Sequence, residues 1–448
     1  MLKVGYGKCD ITPKLGAYLQ GHNKLRYAEL VHDNLYLRTV AFEYEGDMAF
    51  MLCYDLCGMH TAVANRIREE VAAYVGCPAE NVVLSCTHTH TGPNVANKTH
   101  DYDVDYENVL TCLSMHAAGL AKNDLVEAQM FIGSKELRGE SFCRRYLMKD
   151  GTARTNPGIG NPDILRPMND PDFQVQVLKI VREGAKDLAL VNFGCHADSI
   201  KNVDGKDAIS ADWPGVTCAA VDAALGVECV VFNGPCGDVA QRNSMDPKEK
   251  ERSAGWTRTV RLGRGVASAV IAAYNADMTP IPEGPIKAEV KVLDIPLKRP
   301  TEEELARSRD ILEHEADYVG GNMQKTTTLF EAKMLLAVAK TNGIANAVVT
   351  ALHIGGFAAA GISGEPFCQI GKDIKAASTY DAQFVLYLTN GSAGYFPMKD
   401  AFNYDGYEAR TCKFQPGVGE LLVDTALNLL NNIQEQKRGT RRVPLFCL

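Results

Sequence analysis

Apolar β-rich runs alternate with helix-period segments along this chain, an arrangement that buries its faces as a sheet covered by helices. Residues 36–44 (YLRTVAFEY) and 48–55 (MAFMLCYD) are two such runs. The short polar turn between them, containing Gly46 and Asp47, predicts a hairpin. Residues 60–76 place Val63, Ile67, Val71 and Val75 at helical spacing, with Gly76 as a stop. A buried strand at 81–86 (NVVLSC) and a second helix at 105–123 follow. The segment 137–175 is rich in Gly, Pro, Arg, Asn and Asp and predicts a long irregular loop. Alternation then resumes with LALVNFGCH (188–196), a helix over 213–225, VECVVFNG (227–234) and a helix over roughly 253–275.

Near 287–300 the pattern turns to alternating strand residues. Residues 301–319 open with a capping box, Thr301 and Glu304. Runs at 348–362 and 382–390 bracket a polar turn, and an amphipathic helix over 418–433 closes the chain. The expected class is α/β: a mixed β-sheet core flanked by helices, with site residues at strand ends. Residues 1–435 read as one catalytic unit, with room for a small subdomain from about 285, and 436–448 as a C-terminal tail.

A net charge of −8 and a pI near 5.8 argue against nucleic-acid partners, which call for a basic face. Arg438, Arg441 and Arg442 read as a solvated tail. The opening MLKVGYGKCDITPKLG reaches Asp10 and Pro13 before any apolar core of a targeting segment, and no apolar run spans a bilayer. A cytoplasmic protein without membrane insertion is expected; oligomeric state is not readable. The 14 cysteines include no C-x-x-C pair and read as buried free thiols.

The chemistry concentrates where apolar runs end. Thr87-His88-Thr89-His90-Thr91-Gly92-Pro93 directly follows one strand, and two histidines two residues apart on extended chain point the same way. Asn192-Phe193-Gly194-Cys195-His196 repeats the pattern. Two strand ends that each deliver an imidazole point to metal coordination, since neutral imidazole is a preferred zinc ligand. Two histidines leave a tetrahedral site incomplete. Carboxylates at similar exits are Asp55, Asp212, Asp238 and Glu365, each of which could equally be a cap or turn residue.

Taken together, THTHTGP, NFGCH, ISADWPG and FNGPCGDVA resemble the successive signatures of neutral (non-lysosomal) ceramidases. The opening GYGKCDITP and the later SGEPF and AGYFPMKDAFNYDGYEA also resemble that family, in the same order, from about residue 4 to 410. The resemblance implies a zinc-dependent hydrolase of a linear amide, with His88, His196, Glu365 and Tyr395 as ligands. It implies His90 as general acid/base, and Arg144 and Tyr407 as oxyanion-stabilising groups. Arg145 stands beside Arg144, so the arginine could be either. The chain ends shortly after Tyr407, so the family's C-terminal immunoglobulin-like domain is not expected. A small soluble N-acyl compound is therefore the expected substrate in preference to membrane ceramide, with an ester or lactam, or a non-catalytic binding role, as alternatives. TIM-barrel amidohydrolases need further strand-end histidines, which His314 and His353 do not supply. Metallo-β-lactamase-like enzymes need an aspartate and histidine where Thr91-Gly92-Pro93 stands.

Overall fold

The computed structural model describes residues 1–440 apart from 23, 97–101, 201 and 253–254, and no side chains over 433–440. The arginines expected in the tail therefore lie outside the described side chains, and most of the expected pocket-wall loop at 94–104 lies outside the described residues.

The structure is a mixed α/β fold built around a large mixed sheet. Its strands run in the order Glu228–Asn233, Leu188–Phe193, Gln174–Arg182, Val126–Glu136, Lys3–Asp10, Tyr36–Tyr44, Asp47–Tyr54 and Val82–Cys86, with Thr279–Ile281 added beside Val126–Glu136. The first and last pairs are parallel and the rest antiparallel. The expected hairpin is present. Tyr44 pairs with Asp47 across Glu45 and Gly46, both at positive φ, the two-residue turn that matches strand twist.

Helices Thr61–Val75, Val104–Asn123, Asp212–Leu225 and Trp256–Tyr274 cover one face of this sheet through Ile67, Leu110, Trp213 and Val266. The other face packs on a second sheet, ordered Ile286–Pro296, Ile344–Ile354, Phe357–Ile362 and Ala382–Leu386. Phe42, Met51, Leu190 and Phe232 from the first sheet share a core with Leu352, Phe357 and Phe384 from the second. Helices Cys368–Ala377 and Val418–Thr440 close the outer face of the second sheet. The result is four layers, helix–sheet–sheet–helix.

Three expectations need correction. The segment 137–175 is not irregular throughout. Arg145–Met148 pairs with both Ile164–Pro167 and Ala153–Thr155, and Phe142–Cys143 pairs with Val239–Ala240. Strands of two to four residues are too short to print a two-residue period on the sequence. The run 348–362 is two strands turning at Gly355, not one. The stretch after it holds the helix Cys368–Ala377 instead of a simple turn. That helix has no cap from its own N-cap residue; its first N–H donates to Asp238, distant in sequence, at 2.8 Å. The capping box of Thr301 and Glu304 is present. All thirteen described cysteines are free thiols, eleven of them buried.

Candidate metal site

The carboxyl ends of five strands from both sheets meet at one place. By pairing alone, Val82–Cys86 and Leu188–Phe193 run in opposite senses across the large sheet. Six pairing steps separate them along the sheet, yet the sheet curls round so that Glu228–Asn233 packs against Val82–Cys86. The two exits therefore meet, and the rings of His88 and His196 lie 4.7 Å apart. Asn233, at the end of Glu228–Asn233, ties the two exits together. Its buried amide donates to the carbonyls of Thr87 and Cys195, each at 3.0 Å.

His88 sits at φ 69°, a strained value for a side chain with a Cβ, and its N–H donates to Leu56 at 2.9 Å. Its Nδ1 contacts the Cys57 carbonyl at 2.6 Å, and His196 Nδ1 contacts the Cys236 carbonyl at 2.8 Å. A carbonyl can only accept, so both Nδ1 atoms carry a proton, and the Nε2 atoms are the positions left to meet a metal. Each Nε2 faces the same oxygen of Glu365, at 3.4 Å. Glu365 enters from the second sheet on the two-residue strand Glu365–Pro366, which pairs in parallel with Tyr395–Phe396 so that Glu365 and Tyr395 are register partners. Tyr387 donates its hydroxyl to that same Glu365 oxygen at 2.8 Å.

His90 Nε2 lies 3.1 Å from His88 Nε2. Arg144 is buried and held at three points. Nε donates to Glu408 at 2.6 Å, and Nη2 donates to the Gly237 carbonyl at 2.7 Å and to the Tyr395 hydroxyl at 3.0 Å. Tyr407 sets its ring edge on Tyr395, centroids 5.6 Å apart. The neighbouring Arg145 reaches the other oxygen of the same Glu408, at 3.7 Å, and lies over the Phe367 ring. His88, His196 and Arg144 are buried, whereas His90, Glu365, Tyr395 and Tyr407 are partly exposed.

Burial would raise the Glu365 carboxyl, but the His88 and His196 imidazoles outweigh it and hold it well below the usual carboxylate range. Burial and then the His88 imidazole push His90 well below an ordinary histidine, leaving it neutral. Burial and then Glu365 raise Tyr395 and Tyr407, which keep their protons.

The donor set fits a divalent cation. Ligand atoms of His88, His196 and Glu365 lie within 4.8 Å of one another, two imidazoles and one carboxylate, a zinc-type donor set. Without a cation, burial would lower the His88 imidazole, but Glu365 outweighs it and holds that group well above the ordinary histidine value. His196 Nε2 is fully buried and has no hydrogen-bond partner among the described residues, an arrangement that is costly unless something occupies its lone pair. Cys57, His88 and His90 meet the same spacing, but His88 Nδ1 already serves the Cys57 carbonyl.

The remaining carboxylate candidates are structural. Asp55 pairs with the buried Arg38 at 2.8 Å, Asp212 accepts from the backbone of Ser199 and Ile200, and Asp238 accepts from Cys368. Sequence reasoning missed Tyr387, Asn233 and Glu408. It also missed Asp198, whose charge lies near His90 and whose carboxylate accepts from Gln241. Of these only Asn233, in the quoted run FNG at a strand end, carried a local signal.

No family model matches the sequence, and no curated protein does. Solved structures do. A crystal structure of neutral ceramidase from Pseudomonas aeruginosa superposes with a TM-score of 0.74 at 17% identity, covering 97% of this chain and 75% of that one. A structure of ceramidase complexed with C2 matches with the same values. This chain shares their fold.

Proposed function

We propose that this protein is a zinc-dependent hydrolase of linear N-acyl amide bonds, with His88, His196, Glu365 and Tyr395 holding the metal. The observation that carries the reading is the convergence of the His88 and His196 Nε2 atoms on one Glu365 oxygen at 3.4 Å, with Arg144 and two tyrosines beside it. The fold shared with neutral ceramidase supports amide cleavage. Bound zinc would lower the pKa of a coordinated water to about 7 and polarise the amide carbonyl.

The chain's own groups divide the remaining work. His90, whose Nε2 lies beside the metal ligands, takes a proton from attacking water and returns it to the departing amine, which leaves poorly unless protonated. Arg144 keeps its charge because Tyr395 and Glu408 outweigh the cost of burial, and Tyr407 remains a hydroxyl donor. Both can stabilise the tetrahedral oxyanion, a contribution worth about 2.7–4 kcal/mol per donor in well-measured cases. Fixing Arg144 at Glu408, Gly237 and Tyr395 before substrate arrives removes the need to organise it during reaction.

We take a small soluble N-acyl compound as the natural substrate. A panel of short N-acyl amides, ceramide, esters and lactams tests this with purified protein. Amide turnover that falls by about 10²–10⁴-fold in zinc-loaded His90→Ala supports the mechanism. Full activity in that variant would sink it, and a preference for ceramide would reverse the substrate assignment.

A further inference from the structure

We propose that Gly21 is a positioning residue for His90, and that the hairpin-like segment carrying it sets the angle of that imidazole; this rests on reading His90 as the acid/base group. The segment is anchored on both sides of the THTHTGP exit. Tyr18 bridges to Tyr27 and Leu19 to Pro93. Gln20 N–H donates to the Gly92 carbonyl at 3.0 Å, and Asn94 N–H donates to the Tyr18 carbonyl at 3.1 Å. From the returning side, the buried Arg26 guanidinium donates to the His90 carbonyl itself, while His90 N–H donates to Ala197 at 2.9 Å.

Between these anchors Gly21 adopts φ 107°, a conformation that side chains with a Cβ rarely take. A Cβ there would lie 2.4 Å from His90 Cγ, 2.6 Å from Nδ1 and 2.8 Å from Cβ, all well inside contact distance. The bare backbone of residue 21 is thus pressed against the imidazole at its Nδ1 side. The His22 ring, 5.4 Å away and edge-on, and the His88 ring, 4.6 Å away at 90°, enclose it further. With Nδ1 walled off, the ring presents Nε2 toward the metal ligands, 3.1 Å from His88 Nε2. A side chain at residue 21 cannot coexist with the ring in that position unless ring or backbone shifts.

The test compares Gly21→Ala, His90→Ala and the double variant. Metal content, imidazole ¹⁵N resonances and hydrolysis of a short-chain N-acyl anilide are measured for each. Gly21→Ala should keep its metal and shift the His90 resonances. Its kcat should fall roughly 10²-fold with little change in KM, as for a misplaced catalytic group, with no further loss on adding Gly21→Ala to His90→Ala. Unmoved His90 resonances, or a loss that persists in full in the His90→Ala background, would overturn it. If the anilide is not turned over at all, the hydrolase reading fails separately, and the resonances still decide whether Gly21 positions the ring. Should Gly21→Ala not fold, Arg26→Gln, which frees the His90 carbonyl, replaces it with the same readouts.

Discussion

Tyr387 donates its hydroxyl to the Glu365 oxygen that also faces His88 and His196. Its ring is fully buried, so Tyr387→Phe removes one hydrogen bond with little change in packing. Partners behind a metal ligand typically hold about 10–100-fold of metal affinity. Chelator competition should therefore show Tyr387→Phe binding zinc that much more weakly; equal affinity would mean that the hydroxyl does not orient Glu365. Sequence alone pointed to His88, His196 and Glu365 because each follows an apolar run. It could not point to Tyr387, whose role depends on a neighbouring strand exit in the second sheet, nor to Gly21, whose contact is with a ring remote in sequence.

At the scale of elements, the strand exits hold their shape through buried polar side chains. Asn233→Ala would leave the Thr87 and Cys195 carbonyls without their donor, and unsatisfied buried groups cost about 1–3 kcal/mol each. Denaturant unfolding should show a loss in that range together with weaker metal binding. A stable variant with unchanged affinity would remove Asn233 from the account. Asp212 opens the helix Asp212–Leu225 at φ 55°, and burial pushes its carboxyl up to about 6 in spite of its bonds to Ser199, Trp213 and Ile200. The folded state therefore holds this proton more tightly than the unfolded chain does. Stability from this group is fully present below the unfolded value of about 3.9 and is lost as pH rises toward 6, by about 3 kcal/mol. The stability difference between wild type and Asp212→Asn should shift by that amount between those pH values; a pH-independent difference would contradict it. Many long helices and strands were legible from their periods, but the helix Met323–Val338 and the strands Lys3–Asp10, Val126–Glu136 and Gln174–Arg182 were not. The pieces within 137–175 were not, nor was the helix at 368–377, because their partners and caps come from elsewhere in the chain.

Across the whole molecule, the two sheets share one core, in which Phe357 and Phe384 meet edge to face at 5.2 Å. Phe384→Ala should cost about 3–5 kcal/mol and lower a single calorimetric transition. Two separated transitions would mean that the sheets unfold independently. The α/β class was readable from alternation, but the packing that brings both histidine exits together was not, since it depends on how a sheet of long-range pairings curls back on itself. That convergence is the basis of the central claim, and metal content measures it most directly. Elemental analysis of wild type beside His88→Ala and His196→Ala should find about one zinc per chain, lost in both variants while circular dichroism shows the fold intact. No metal in the wild type, or metal that survives either substitution, would contradict the account.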